Sequence, residues 1–168
     1  EDGIRDYKVT GVQTCALPIY ERVVVLRSSA GGNVGWNPKV VMTPAGTPLV
    51  AHLNGATLLV TECRDPACFA LETITVTADA VPSIGNLDVQ LGNAGQPIVT
   101  YTTSTDDLGV AICHPSGCGT SAVATVINTD DIDGISPRFV IDDIGRPIVV
   151  SSDLFGDLHV NIPWWVTP

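Results

Sequence analysis

Four cysteines fall into two pairs of equal spacing, Cys63-Arg-Asp-Pro-Ala-Cys68 and Cys113-His-Pro-Ser-Gly-Cys118. Two chemistries use thiols in this way. The ends of a short hairpin loop come within the roughly 4.4–6.8 Å Cα separation that a disulfide needs. Alternatively, the two pairs together, with His114, would make a zinc site, although zinc knuckles more often use closer spacing. We expect two local disulfides. A second group is acidic. Asp131-Ile-Asp133-Gly134 has the opening of a calcium loop but lacks the later acidic ligand of an EF-hand, so Asp131 and Asp133 are calcium candidates set against a plain solvated turn. His52, His114 and His159 accompany no recognisable Ser or Cys nucleophile motif. Trp36, Trp164 and Trp165 have the flat, amphipathic surfaces that stack on sugars, and equally those that pack between sheets.

The elements that must position these residues are set by an internal repeat. "KVVMTPAGTPLVAHLNGATLLVTECRDPAC", "LDVQLGNAGQPIVTYTTSTDDLGVAICHPSGC" and "RFVIDDIGRPIVVSSDLFGDLHVNIP" share one frame. An apolar run leads to a Gly-x-Pro turn, a second apolar run, a polar loop and then Leu-x-Val. Gly46, Gly95 and Gly145 head the Gly-x-Pro units, and Val60, Val110 and Val160 recur at a period of fifty residues. Such a period, with several strands per unit, marks a repeat architecture. Leu87, Val89 and Leu91 alternate with polar residues, as do Leu108, Val110 and Ile112, which is the period of a two-faced strand. First strands are expected at Lys39–Met42, Leu87–Leu91 and Arg138–Ile141. Second strands start at the Gly-x-Pro prolines, where a missing N–H is tolerated, and third strands carry the Leu-x-Val. Fourth strands are expected at Glu72–Val76 and Ala122–Ile127, with Glu21–Leu26 matching them for a blade whose beginning is lost. No segment has a convincing helical period.

Four short antiparallel strands per unit predict an all-β chain, a partial β-propeller of about three four-stranded blades. A β-sandwich or β-solenoid is the alternative. The blade-end strand would occupy residues 20–27, the blades 37–77 and 86–128, and a partial blade 137–168. "GQPIVTYTTSTDDLGVAIC" resembles the repeat unit of secreted bacterial propellers of the sialidase-like (BNR-like) kind, with its Gly-x-Pro strand reaching Tyr and its Leu-x-Val strand reaching Cys. That resemblance spans the three units. It implies a secreted or cell-surface protein, and it raises a glycosidase. Such enzymes need arginines for the substrate carboxylate, an acid/base and a nucleophile. Only Arg22, Arg27, Arg64, Arg138 and Arg146 remain outside the opening stretch. The Asp-box Ser-x-Asp-x-Gly-x-Thr-Trp is missing, with "STDDLG" a near miss. No catalytic residue is expected within this chain.

Residues 1–19 stand outside the repeat. "EDGIRD" and "VTGVQTCALPI" resemble the in-frame translation of a sequencing-library adapter, with Tyr7-Lys8 in its index position. We expect this stretch to be non-native, the native frame to begin upstream, and the chain to be a piece of a longer protein. Cys15 belongs to it, which leaves an even number of cysteines. The net charge of −10 repels phosphate backbones and argues against nucleic acid as a partner. No apolar run is long enough to span a bilayer. Paired cysteines point to an extracytoplasmic compartment.

By propeller topology, the strand 2–3 loops and the connections between blades share one rim. That rim gathers Trp36, Asp106, Asp107, Asp130, Asp153 and Asp157 with Asp131 and Asp133, and forms the candidate binding surface. Calcium, or a basic ligand, suits clustered carboxylates. The other rim takes the Gly-x-Pro turns and the cysteine loops. The expected role is a binding or interaction scaffold for carbohydrate or protein. The alternative is a piece of a glycosidase-like hydrolase whose catalytic residues lie mostly elsewhere. Three blades leave two apolar flanks, so self-association is expected, with Glu21–Leu26 lent to a second chain's last blade.

Overall fold

The computed structural model describes residues 34–78, 80, 86–115, 117–118, 123–128 and 134–163. These form β1 (Val34–Met42), β2 (Pro48–Asn54), β3 (Thr57–Cys63), β4 (Leu71–Thr77), β5 (Leu87–Leu91), β6 (Pro97–Thr102), β7 (Leu108–Ile112), β8 (Val123–Asn128), β9 (Ile135–Ile141), β10 (Pro147–Ser152) and β11 (Leu158–Asn161). There is no helix among the described residues. The strands make three antiparallel sheets in chain order, β1-β2-β3-β4, β5-β6-β7-β8 and the three-stranded β9-β10-β11. The fold is all-β, an open, propeller-like series of meandering sheets. The expected strand Glu21–Leu26 lies outside the described residues, as do Cys15, Trp164 and Trp165.

Proline placement explains the register. Each second strand starts at a Gly-x-Pro proline, and Pro48, Pro97 and Pro147 pair with Met42, Leu91 and Ile141 at the far ends of the first strands. A ladder donor is lost only at the first position of the strand, where it is tolerated. The first strands are longer than the alternation predicts: β1 begins at Val34 rather than Lys39, and β9 at Ile135 rather than Arg138. Pro38 and Pro137 hide these extensions in the sequence. Both sit in strands at the edge of a sheet, where a missing N–H is no defect. Just before them, Asn37 and Ser136 adopt the left-handed region at φ 47° and 51°, and both first strands carry register shifts.

Packing runs from sheet to sheet. Leu49, Leu53, Leu58 and Val60 of the first sheet form one buried cluster with Leu87, Val89, Val99 and Tyr101 of the second. Ile98, Leu108 and Val110, on the opposite face of the second sheet, form another with Phe139 and Val149 of the third. Consequently β6 is buried at every position, whereas β10 is buried only at alternate ones. Contacts between sheets concentrate on the first strands, with β5 touching β1 and β2 on one side and β9 on the other. Gly109 admits the Tyr101 ring, because a Cβ there would lie 2.4 Å from a ring carbon.

Leu108 is fully buried between the second and third sheets. Leu108→Ala should destabilise the chain by about 2–5 kcal/mol in urea unfolding, as for other buried leucines. A loss within about 0.5 kcal/mol, the range of surface positions, would contradict the stacking.

Candidate functional site

Hydrogen bonds divide the loops between two rims. Ala80, in the connection leaving the first sheet, donates its N–H to Ala56 in the β2–β3 turn at 2.9 Å. Gly134, leaving the second sheet, donates to Asp106 in the β6–β7 turn at 2.8 Å and accepts from the Thr102 hydroxyl at 2.5 Å. A Cβ on Gly134 would lie 2.1 Å from the Asp107 carbonyl oxygen, so only glycine permits this crossing. The strand 2–3 turns and the inter-sheet connections thus share one rim. On the other rim, neighbouring Gly-x-Pro turns meet: a Cβ on Gly95 would contact Pro44 at 3.0 Å, and Asn93 donates to the Asp143 carbonyl at 3.3 Å.

Both cysteine pairs are disulfides, with Cα separations of 4.7 Å for Cys63–Cys68 and 4.5 Å for Cys113–Cys118. Each clasps the loop that follows a third strand. In the first loop, the Asp65 carboxylate accepts the N–H groups of Ala67 and Ala70. In the second, His114 and Gly117 bridge across the turn. Between the loops, on the rim of the Gly-x-Pro turns, lies a cavity of about 370 Å³. Thr43, Pro44, Ala45, Ala94 and Pro115 form its walls, with Glu62 and Arg64 at its polar side.

Glu62 is the residue that the sequence reading did not single out. It is buried at the end of β3, and its Oε1 accepts the N–H of Cys118, on the second sheet's loop, at 2.9 Å. Its Oε2 stands 3.2 Å from Arg64 Nη1, and Arg64 also donates to Glu72. That hydrogen bond, ahead of opposing desolvation, raises the Arg64 pKa and keeps the guanidinium charged. Gly117 makes room for the carboxylate: a Cβ there would lie 2.8 Å from Oε2, and its φ is +129°. A buried carboxylate therefore ties the first sheet to the disulfide loop of the second. The repeat position occupied by Glu62 is Ile112 in the second unit, which packs against the apolar cluster instead. A charged side chain in place of an aliphatic one, visible when the repeats are aligned, was the available signal.

No family model matches the chain, and no curated protein matches it. The chemistry is therefore read from geometry alone. Both oxygens of Glu62 already have partners, and Arg64 is shared between two carboxylates. These groups hold loops in place and give the cleft a polar edge.

The aspartates of the first rim serve turns. Five turns share one design, in which residue i donates to the carbonyl of i+4 and accepts from the N–H of i+3. Gly46, Gly95, Asp106, Gly145 and Gly156 take the left-handed position at i+3. Thr103 caps the β6–β7 turn through the N–H of Asp107 at 3.0 Å, and the Asp107 carboxylate accepts from Thr105. Asp153 accepts from Phe155 and Asp157, both at 2.8 Å. Asp142 on the opposite rim accepts from Ile144 and Arg146 in the same way. Asp106 and Asp107 thus belong to one turn, and Asp153 and Asp157 to the next. Trp36, in β1, is partly exposed opposite Leu53. Asp130, Asp131 and Asp133 lie outside the described residues. Among the described residues, no group of three or more His, Cys, Asp or Glu side chains is arranged to hold a metal.

Two outcomes follow. Glu62→Ala removes the acceptor of the buried Cys118 N–H and should cost about 1–3 kcal/mol in urea unfolding. Glu62→Gln, which keeps an acceptor oxygen, should cost less, and equal losses would show that the bond to Cys118 is not what matters. The second outcome concerns acid. The Asp142 carboxyl lies below the ordinary aspartate range because the Arg146 N–H, and after it the Arg146 side chain and the Ile144 N–H, outweigh desolvation. For Asp153, desolvation is outweighed by the N–H groups of Asp157 and Phe155 and by His159. Depressed folded values mean that the unfolded chain binds protons more readily. The stabilisation is complete above the ordinary value of 3.8 and is lost as the pH falls through and below it. Asp142→Asn, which retains the turn acceptor, should flatten this acid slope in urea midpoints measured against pH, and an unchanged slope would contradict the assignment.

Proposed function

We propose that the chain is part of a β-propeller binding scaffold of a secreted or cell-surface bacterial protein, taking carbohydrate or a protein segment in the cleft between its first two sheets. The observation that carries this reading is the cleft itself: small and proline walls, a polar edge at Glu62 and Arg64, and two flanking disulfide loops. Binding residues tend to occur on loops held by a rigid scaffold, and these loops are held by covalent bonds and by the Glu62 tie. The disulfides are consistent with an oxidising, extracytoplasmic compartment. The sequence resemblance to secreted propellers supports the same assignment.

The test is a combined glycan and peptide array probed with the oxidised chain and with Ala94→Trp, whose indole would fill the cleft from an exposed turn position. Circular dichroism would confirm that the variant folds. Binding by the parent chain that Ala94→Trp abolishes is the expected result. Failure to bind either class, binding that survives the substitution, or hydrolysis of a bound glycan would overturn the proposal.

A further inference from the structure

The fifty-residue repeat allows one position to be followed through three sheets. Leu58 and Leu108 are 0% exposed, yet Leu158 is 72% exposed. Val60 and Val110 are 0% exposed, yet Val160 is 61% exposed. In the first two units these residues face the next sheet. Leu58 and Val60 lie in one cluster with Val89, and Leu108 and Val110 lie in one cluster with Phe139. Val89 and Phe139 are themselves equivalent, each cross-strand from the middle of the second strand, at Val99 and Val149. The same position in the first unit is Val40, cross-strand from Val50. It is 63% exposed, where Val89 and Phe139 are 4% exposed.

The chain therefore carries both halves of an interface that it makes twice internally. One half, Leu158 and Val160 with Val140 beside them, is open on the third sheet. The other half, Val40 with Met42 beside it, is open on the first strand of the first sheet. Because one chain carries the knob face and the receiving face at opposite ends of its sheet series, the occupant that fits each is a second copy. We propose that two copies associate head to tail, with the Leu158–Val160 face of one packing on the Val40 face of the other. The contact is heterologous, so it leaves the complementary pair of faces free to repeat it and close a ring. Two copies present six sheets, within the roughly four to eight blades on which propellers close. Among the described residues the third sheet has three strands where the other two have four, with β11 at its edge, and an unpaired strand edge invites pairing with another chain. The inference does not depend on what the cleft binds.

Sedimentation of the full oxidised chain across a wide concentration range tests it, with Val160→Asp and Val40→Asp as variants. Both substitutions fall on exposed side chains, and circular dichroism checks that each variant folds. The parent chain should sediment as a dimer, and each variant alone should lose most of that association. A mixture of the two variants should regain a complex of two chains, because Val160→Asp keeps an intact Val40 face and Val40→Asp keeps an intact Leu158–Val160 face. A monomeric parent chain would overturn the proposal. So would a Val40→Asp variant that dimerises normally, since this would mean that third sheets pair with each other. A mixture that shows no recovery would likewise exclude the head-to-tail contact.

Discussion

The second sheet is apolar on both faces, and both must be withdrawn from water. Val99 and Tyr101 point to one side of β6 and Ile98 to the other, and all three are buried. At roughly 25 cal/mol per Å² of apolar surface, leaving either face open would be a large penalty for one short sheet. Burial therefore requires a sheet on each side. The remaining features serve that stacking. First strands converge, turns meet across the junctions, and connections cross the β2–β3 turn at Ala80 and the β6–β7 turn at Gly134, where a Cβ would collide with the Asp107 carbonyl.

Stacking two sheets does not by itself fix their relative position, since apolar contact is non-directional. The directional contacts sit at the periphery. Between the first and second sheets, Glu62 accepts from the Cys118 backbone. Between the second and third, Asn86 donates to Ser136 at 2.7 Å, Gln90 donates to the Phe139 carbonyl, and Arg138 stands 3.9 Å from Asp88. The first junction is thus fixed by a buried carboxylate against a disulfide loop. The second is fixed by side chains near the first strands. The cleft lies at the first junction, beside Glu62 and Arg64. Ile112, the counterpart of Glu62, packs into the apolar cluster, and Pro163 stands where a third disulfide loop would begin.

Much of this was legible in the residues because the signals were local. Period-two alternation placed β5 and β7 at their observed bounds, the Gly-x-Pro prolines marked the starts of three second strands, and the spacing of cysteines marked two hairpin loops. The hidden features depend on partners far away in the chain. The early starts of β1 and β9 are masked by Pro38 and Pro137, which become acceptable only once those strands are known to be edges. Glu62 reads as an interruption in an apolar strand until its partner, 56 residues on, is seen. The rim aspartates read as a candidate binding surface, whereas Asp107 and Asp153 are engaged within their own turns. Which N–H each carboxylate would accept depended on the five-residue turn geometry.

The central claim is that the second sheet is enclosed on both faces while the third is enclosed on one. Native-state amide exchange, resolved by residue, measures this directly, because enclosed strands exchange only through global opening and exposed edges through local opening. In the dissociated chain at low concentration, the amides of β6 and β7 paired within the ladder should share the highest protection, approaching the global unfolding free energy. Those of β11 should exchange well below it. Equal protection in β6 and β11, or faster exchange in β6, would contradict the account.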